Sequence, residues 1–350
     1  MMSEQSIHVA VVGATGAVGE QMLETLNHHH FPLASLKLLS SKRSAGKTLT
    51  FRGENYTVEE AVPESFDNVD LALFSAGGSV SKALAHEVVQ RGAVVVDNTS
   101  AFRMDENVPL VVPEVNEDDL KNHNGIISNP NCSTIQMAAA LEPIRKKAGL
   151  KRVIVSTYQA VSGAGTDAVD EMYEQTRQIM NGEKINPQVL PVGSEKKHYQ
   201  IAFNAVPQID VFQENGYTFE EMKMINETKK ILHDDTLSVA ATCVRLPVET
   251  GHSESVYIEV EEEGMSAQGL KDLMKVAPGM TLQDDPSLQM YPLASDAQGK
   301  DDIFIGRIRQ DLDNPKGFHF WVVSDNLLKG AALNSVQIAF SLLRLGLLKK

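Results

Sequence analysis

The 350-residue chain has only two cysteines and one tryptophan. Two thiols cannot make a disulfide framework, and in a reducing compartment both stay free. No apolar run approaches the roughly 20 residues of a membrane span. The N-terminal "MMSEQSIHVAVVG" also lacks the basic region, apolar segment and small-residue cleavage site of a secretory leader. These absences point to the cytoplasm. Basic charge is scarce as well: 32 Lys and Arg stand against 46 Asp and Glu, a net charge of -14. That balance repels phosphate backbones and anionic lipid, which argues against nucleic acid or membrane as a partner and leaves room for a small anion bound locally. Low-complexity linkers and internal repeats are missing. His28, His29 and His30 lie in a helix-ending "LNHHHFPL" without metal-ligand spacing, so they read as a solvated helix end and no metal site is expected. What is present, 42% hydrophobic and 22% charged residues, describes a globular protein long enough for two domains with substantial cores.

The N-terminal part alternates strands and helices. "IHVAVVGATGAVGEQMLETLNHHH" reads as a buried β-branched strand, a glycine turn and an amphipathic helix with Val18, Met22, Leu23 and Leu26 on one face. "SLKLLSS", "VDLALFSAGG" and "AVVVDNTS" read as further strands, and "SVSKALAHEVVQRG" as a helix ended by Gly92. Repeated βα units predict an α/β fold with a doubly wound parallel sheet. After residue 131 the pattern changes to long β-rich segments, "RVIVSTYQAVSG", "LSVAATCVRLPV", "SESVYIEVEEE" and "FHFWVVSDN", with helices near 167–180, 219–233 and 267–275. This pattern predicts an α+β domain on a mixed sheet, and the amphipathic C-terminal segment can return to the first domain. The expected domains are therefore 1–131 completed by a helix over 329–350, and 132–328.

The first turn holds Gly13, Gly16 and Gly19, a G-x-x-G-x-x-G spacing in place of the usual dinucleotide G-x-G-x-x-G. It follows a buried strand and opens a helix, where backbone N–H groups and the helix dipole receive a pyrophosphate. A plain strand-to-helix connection is the alternative. About 20 residues on, an NAD site places an acidic residue on the ribose 2′-hydroxyl. Here "LLSSKRSAGK" offers Ser40, Ser41, Lys42, Arg43 and Ser44, which suit the 2′-phosphate of NADP, or form a solvated basic loop. Gly77 and Gly78 close another turn of the same kind.

Cys132 stands where the polar turn "SNPN" becomes the helix "STIQMAAALEPIRKK". A cysteine is more often an ordinary core residue, but a thiol at a helix N-terminus has its thiolate stabilised by unpaired N–H groups, which lowers its pKa and makes Cys132 a candidate nucleophile. Cys243, among apolar residues of a strand, is read as core. Arg245 in the same strand needs an anion, supplied by a substrate carboxylate or by an internal salt bridge.

Together "GATGAVG", "VVVDNTSAFR", "VVPEVN", "NPNCSTIQM", "VSTYQAVSGAG", "FNAVPQID", "EEMKM", "CVRLPV" followed by "GHSESV", and "DNLLKGAALNSVQIA" resemble the aspartate-β-semialdehyde dehydrogenase family over about residues 7 to 345. The resemblance implies a Rossmann-type dinucleotide domain plus an α+β catalytic and dimerisation domain, on the plan of glyceraldehyde-3-phosphate dehydrogenase. It further implies NADPH-dependent reductive dephosphorylation of β-aspartyl phosphate through a cysteine thioester. On it, Cys132 is the nucleophile, His252 the acid/base and Gln159 an orienting partner. Arg245 takes the substrate α-carboxylate, Glu220 its amine, and Lys223 with Arg103 and Asn131 its phosphate. Gly13, Thr15, Gly16, Ala17, Val18, Ser40, Ser41, Arg43, Ser44, Gly77 and Gly163 line the cofactor. A homodimer or dimer of dimers is implied. The competing readings are an N-acetylglutamyl-phosphate reductase of the same plan and a catalytically silent NADP-binding regulator.

Overall fold

In the computed structural model, which describes residues 7–348, the chain divides into two compact units. One runs up to Asn131 and resumes at Ala331, and the other is Cys132–Gly330. The ends of the segments 1–131 and 329–350, residues 1–6 and 349–350, lie outside the described residues.

The first unit begins with β1 (Ile7–Val12), α1 (Ala17–His28) and β2 (Leu33–Ser40). A small antiparallel pair, β3 (Thr48–Phe51) and β4 (Glu54–Thr57), precedes β5 (Glu59–Glu60), β6 (Leu71–Phe74), α2 (Gly78–Gln90), β7 (Val94–Asp97), the short α3 (Pro113–Asn116) and β8 (Ile126–Ser128). Six strands pair in the order β5-β2-β1-β6-β7-β8, all parallel. Because helices cover both faces, each central strand is apolar on both sides. Val9, Val11, Leu36, Leu38, Leu71 and Leu73 pack with Met22 and Leu26 of α1 and with Val336, Ala339 and Leu342 of the C-terminal helix. Ala10, Val12, Leu39, Ala72, Phe74 and Val95 pack with Ala85 and Val88 of α2 on the opposite face.

The C-terminal helix is shorter than 329–350. A π-helical turn occupies Leu328–Ala332, the α-helix is Leu333–Leu345, and Gly346 stops it at φ 67, the left-handed conformation glycine adopts without strain.

The second unit opens with α4 (Cys132–Ala148), which continues through Pro143, and β9 (Arg152–Gln159). Then come α5 (Thr166–Met180), α6 (Phe219–Leu232), β10 (Ser238–Arg245), β11 (His252–Glu259), α7 (Ala267–Met274), β12 (Met280–Leu282), α8 (Ala294–Ala297), β13 (Ile303–Gln310) and β14 (Gly317–Ser324). The mixed sheet has the order β10-β9-β11-β14-β13-β12, with β10/β9 and β12/β13 parallel and the other neighbours antiparallel. Strand β13, "IFIGRIRQ", is an element the sequence reading did not single out. Val153, Val155, Cys243, Val256, Ile258, Phe318, Phe320 and Val322 recur at every second position and are buried, whereas Ile154 is 42% exposed. This is the alternation of a sheet with one covered face. No described helix is long and apolar enough to cross a membrane.

Candidate active site

The covered face of the second unit's sheet changes character at one end. In β9 the alternating series Val153, Val155 continues as Thr157 and Gln159; in β10 it passes through Cys243 to Arg245; in β11 it begins at His252 and Glu254. Register then gathers these positions, since Arg245 pairs with Gln159, Cys243 and Glu254 both pair with Thr157, and His252 pairs with Ser324. Two rows of buried polar side chains result, formed by the same two-residue period that builds the apolar core.

Arg245 is 4% exposed and donates from one guanidinium nitrogen to the Ala160 carbonyl at 2.7 Å, while its Nε has no partner. Burial lowers its pKa, with the Glu220 charge and then that of Cys132 acting in the opposite sense. Among the described residues no carboxylate lies within salt-bridge distance of it, so the internal salt bridge is not formed.

His252 is fully buried. Its Nδ1 accepts the Ala160 N–H at 3.0 Å, which leaves the proton on Nε2, and Nε2 has no partner. Burial, and secondarily the Arg245 charge, pushes its pKa down to about 3, so the ring is neutral near pH 7. The His252 carbonyl accepts from Gln136 Nε2 at 3.3 Å, and Gln136 Oε1 in turn accepts from Ser324 Oγ at 2.5 Å.

Gly163 belongs to this same cluster. A Cβ there would lie 3.0 Å from the Arg245 guanidinium and 3.3 Å from the His252 ring. Asn326 ties the surroundings together: its Oδ1 accepts the Gly251 N–H at 2.8 Å, and its Nδ2 donates to Ser162 Oγ at 3.0 Å. Gln136, Ala160 and Asn326 are positioning groups that sequence reasoning missed. No periodicity or spacing marks them, because they act from elements distant along the chain.

Glu220 and Lys223 share a face at the start of α6. Gln159 Nε2 donates to Glu220 Oε1 at 3.1 Å and to Thr157 Oγ1 at 3.2 Å, while Lys223 Nζ reaches Glu220 Oε2 at 3.2 Å and Asp210 Oδ2 at 2.9 Å. The adjacent Glu221 does different work. It closes a capping box with Thr218 and accepts the Cys243 N–H at 3.1 Å, which fixes α6 against β10.

Cys132 is the first residue of α4 and is partly exposed, unlike buried Cys243. The chain passes so close at Gly330 that a Cβ there would come within 2.8 Å of the Cys132 Cβ. Burial raises the Cys243 thiol's pKa strongly, and Glu220 adds to the effect.

The other expected residues lie in the first unit. Gly13 has φ 85, and a Cβ there would press on the Ala76 nitrogen at 2.9 Å; a Cβ on Gly19 would stand 2.1 Å from the Gly13 carbonyl oxygen. Helix α1 begins at Ala17 behind an extended Gly16 with no side-chain cap. Its first-turn N–H groups, Ala17 and Val18 among them, have no intrahelical acceptors, which fits a pyrophosphate. Thr15 and Ser40 hydroxyls are 3.1 Å apart. Ser41 to Ser44 forms a turn with the Ser44 N–H donated to the Ser41 carbonyl at 2.8 Å, Arg43 exposed and Ser44 buried. The sequence did not foresee that β5 sets exposed Glu59 and Glu60 beside Leu39 and Ser40. Gly77, at φ 92, caps α2. Arg103 is buried and donates to the carbonyls of Asn129 at 2.9 Å and Asn98 at 3.0 Å; Asn131 ends the first of this unit's two segments. The turn, the uncapped helix and the basic segment after β2 therefore fit a dinucleotide.

The two units correspond to two domain families that define a class, the semialdehyde dehydrogenases: residues 8–123 match their NAD binding domain and residues 141–329 their dimerisation domain. An aspartate-semialdehyde dehydrogenase of Bacillus subtilis is 70% identical over 343 residues, covering 98% of this chain and 99% of that protein. The crystal structure of aspartate semialdehyde dehydrogenase II from Vibrio cholerae complexed with ASA has a TM-score of 0.91 at 45% identity, over 97% of this chain and 99% of the other. An aspartate semialdehyde dehydrogenase with NADP from Candida albicans has a TM-score of 0.75 at 25% identity, over 97% and 98%. The chain belongs to the aspartate-semialdehyde dehydrogenase family.

Proposed function

We propose that this protein reduces β-aspartyl phosphate to aspartate semialdehyde and phosphate with NADPH, as a step in the synthesis of lysine, diaminopimelate, threonine and methionine. The observation that carries this reading is Arg245: a buried guanidinium with no carboxylate within salt-bridge distance among the described residues, beside a neutral histidine with an unpartnered Nε2. Burying a guanidinium with only the more distant Glu220 charge to balance it is costly, and a substrate carboxylate gripped at two points offsets the cost.

On this reading Arg245 holds the α-carboxylate and Glu220 the α-amine, while Gln159 keeps Glu220 oriented. The Cys132 thiolate attacks the acyl carbon, a C–S bond forms, the C–O bond to phosphate breaks, and a thioester results. Lys223 receives the departing phosphate. Bound NADPH supplies a hydride to the thioester carbon. His252 directs its Nε2 proton at the oxygen on that carbon as negative charge gathers there, and the oxygen's electrons then expel the thiolate and leave the aldehyde.

The cofactor reading rests on Ser41 and Arg43, which stand where an NAD site carries an acidic residue, and on the helix N-terminus at Ala17 and Val18. The assembly on this reading is a homodimer or a dimer of dimers, and the match to a dimerisation domain supports the dimer. Two free thiols support a cytoplasmic location, and the net charge of -14 supports the absence of nucleic acid among its partners. The direct test is NADPH formation from aspartate semialdehyde and phosphate, beside N-acetylglutamate semialdehyde. Turnover of the acetylated compound alone, or NADP binding with no turnover, would refute the proposal.

A further inference from the structure

Lys223, the proposed phosphate ligand, is enclosed by two carboxylates rather than one. Asp210 Oδ2 is 2.9 Å from its Nζ and Glu220 Oε2 is 3.2 Å away, while the ammonium also stands 4.6 Å from the centre of the Phe219 ring. The Lys223 side chain is 15% exposed and that of Asp210 30%, so the pair is only partly screened by water. Glu220 already has a role toward the substrate amine. Asp210 has none, yet the fold takes trouble to place it. It adopts φ 68, its Oδ1 accepts the Val211 N–H at 2.9 Å, and the segment is closed onto the start of α6 by the Phe219 N–H donated to the Val211 carbonyl at 2.8 Å.

We infer that Asp210 sets the affinity of the phosphate site by competing with phosphate for Lys223. With the site empty, Asp210 and Glu220 hold the ammonium in position between two carboxylates. An incoming phosphate gains the lysine and meets the Asp210 carboxylate a few ångströms away. The same repulsion helps phosphate leave once the acyl group has moved to Cys132, so Asp210 weakens phosphate binding and favours release. The inference rests on the proposed assignment of Lys223 to phosphate.

Asp210→Asn removes the charge and little else, because asparagine retains Oδ1 for the Val211 N–H and is among the residues that tolerate a positive φ. With aspartate semialdehyde and NADP saturating, the variant is expected to lower KM for inorganic phosphate about 3- to 10-fold. Phosphate should become a stronger product inhibitor of the reductive reaction by the same factor, while KM for aspartate semialdehyde and for NADP stays within about twofold of wild type. Lys223→Ala, measured in parallel, should raise KM for phosphate at least about tenfold. If Lys223→Ala does this and Asp210→Asn leaves phosphate KM unchanged, the competition does not exist. If Asp210→Asn raises phosphate KM, Asp210 merely positions the lysine, and the inference is likewise overturned. Should Lys223→Ala leave phosphate KM untouched, the phosphate assignment itself fails and the Asp210 role with it.

Discussion

Replacing Arg245 with lysine separates a substrate ligand from a structural cation. The guanidinium is buried, with one nitrogen on the Ala160 carbonyl at 2.7 Å, Nε unpartnered, and only hydrogen-sized room beside it at Gly163. A lysine ammonium cannot keep the Ala160 contact and also present two parallel donors to a carboxylate. Losing one of two charge-assisted hydrogen bonds in a desolvated site should cost roughly 1.5–3 kcal/mol, or about one to two orders of magnitude in kcat/KM for aspartate semialdehyde. Misplacing the aldehyde carbon relative to Cys132 would add to the loss. NADP affinity should barely change, since the groups proposed for its pyrophosphate and 2′-phosphate, Ala17, Val18, Ser41 and Arg43, are not hydrogen-bond partners of Arg245. The assay is initial-rate NADPH formation at saturating NADP and phosphate, normalised to the folded fraction, with a thermal melt run alongside. A variant that melts early but keeps wild-type kcat/KM per folded molecule would show that Arg245 serves the fold and that the carboxylate assignment is mistaken.

The His252 ring is neutral in the folded protein down to a pKa of about 3, against 6.5 ordinarily. Between those values the unfolded chain binds a proton the folded chain does not, so this residue's share of stability is whole above about pH 6.5 and is lost as pH falls toward 3, by up to about 1.4 kcal/mol per pH unit. Urea midpoints at pH 6.5 and 4.5 should fall less in His252→Gln than in wild type; equal slopes would contradict the buried neutral ring. Iodoacetamide near neutral pH should inactivate by modifying Cys132, which is partly exposed, whereas burial keeps the Cys243 thiol protonated and covered. Peptide mapping that finds Cys243 modified at full inactivation, with Cys132 intact, refutes this. The enzyme should prefer NADP to NAD, and Arg43→Ala should reduce the ratio of the two kcat/KM values about tenfold or more through loss of a phosphate contact. An unchanged ratio would remove Arg43 from the site, and the exposed Glu59 and Glu60 beside β2 make that comparison informative.

Local pattern determined a good deal. The buried β-branched run Ile7–Val12 followed by Gly13, Gly16 and Gly19 specifies a strand, a turn and a helix opening with free N–H groups, because backbone sterics and hydrophobic period act within a dozen residues. The helices at 166–180, 219–232 and 267–274 were legible within a residue or two for the same reason. Cys132 could be singled out from its place at a polar turn before a helix. Strand pairing decided the rest. Nothing local distinguishes Glu220 from Glu221; the Thr218 cap and the Cys243 N–H claim one, and Gln159 and Lys223 hold the other. His252 is neutral only because its strand buries it and Ala160, far away in sequence, occupies its Nδ1. Across from Arg245 the register places Gln159, not an acid, and among the described residues no carboxylate reaches salt-bridge distance of it. Asp210 reaches Lys223 only because a loop folds back on α6. Sequence period sets which side chains share a face, but the charge state and partners of each depend on long-range register and burial, which no stretch of the chain contains alone.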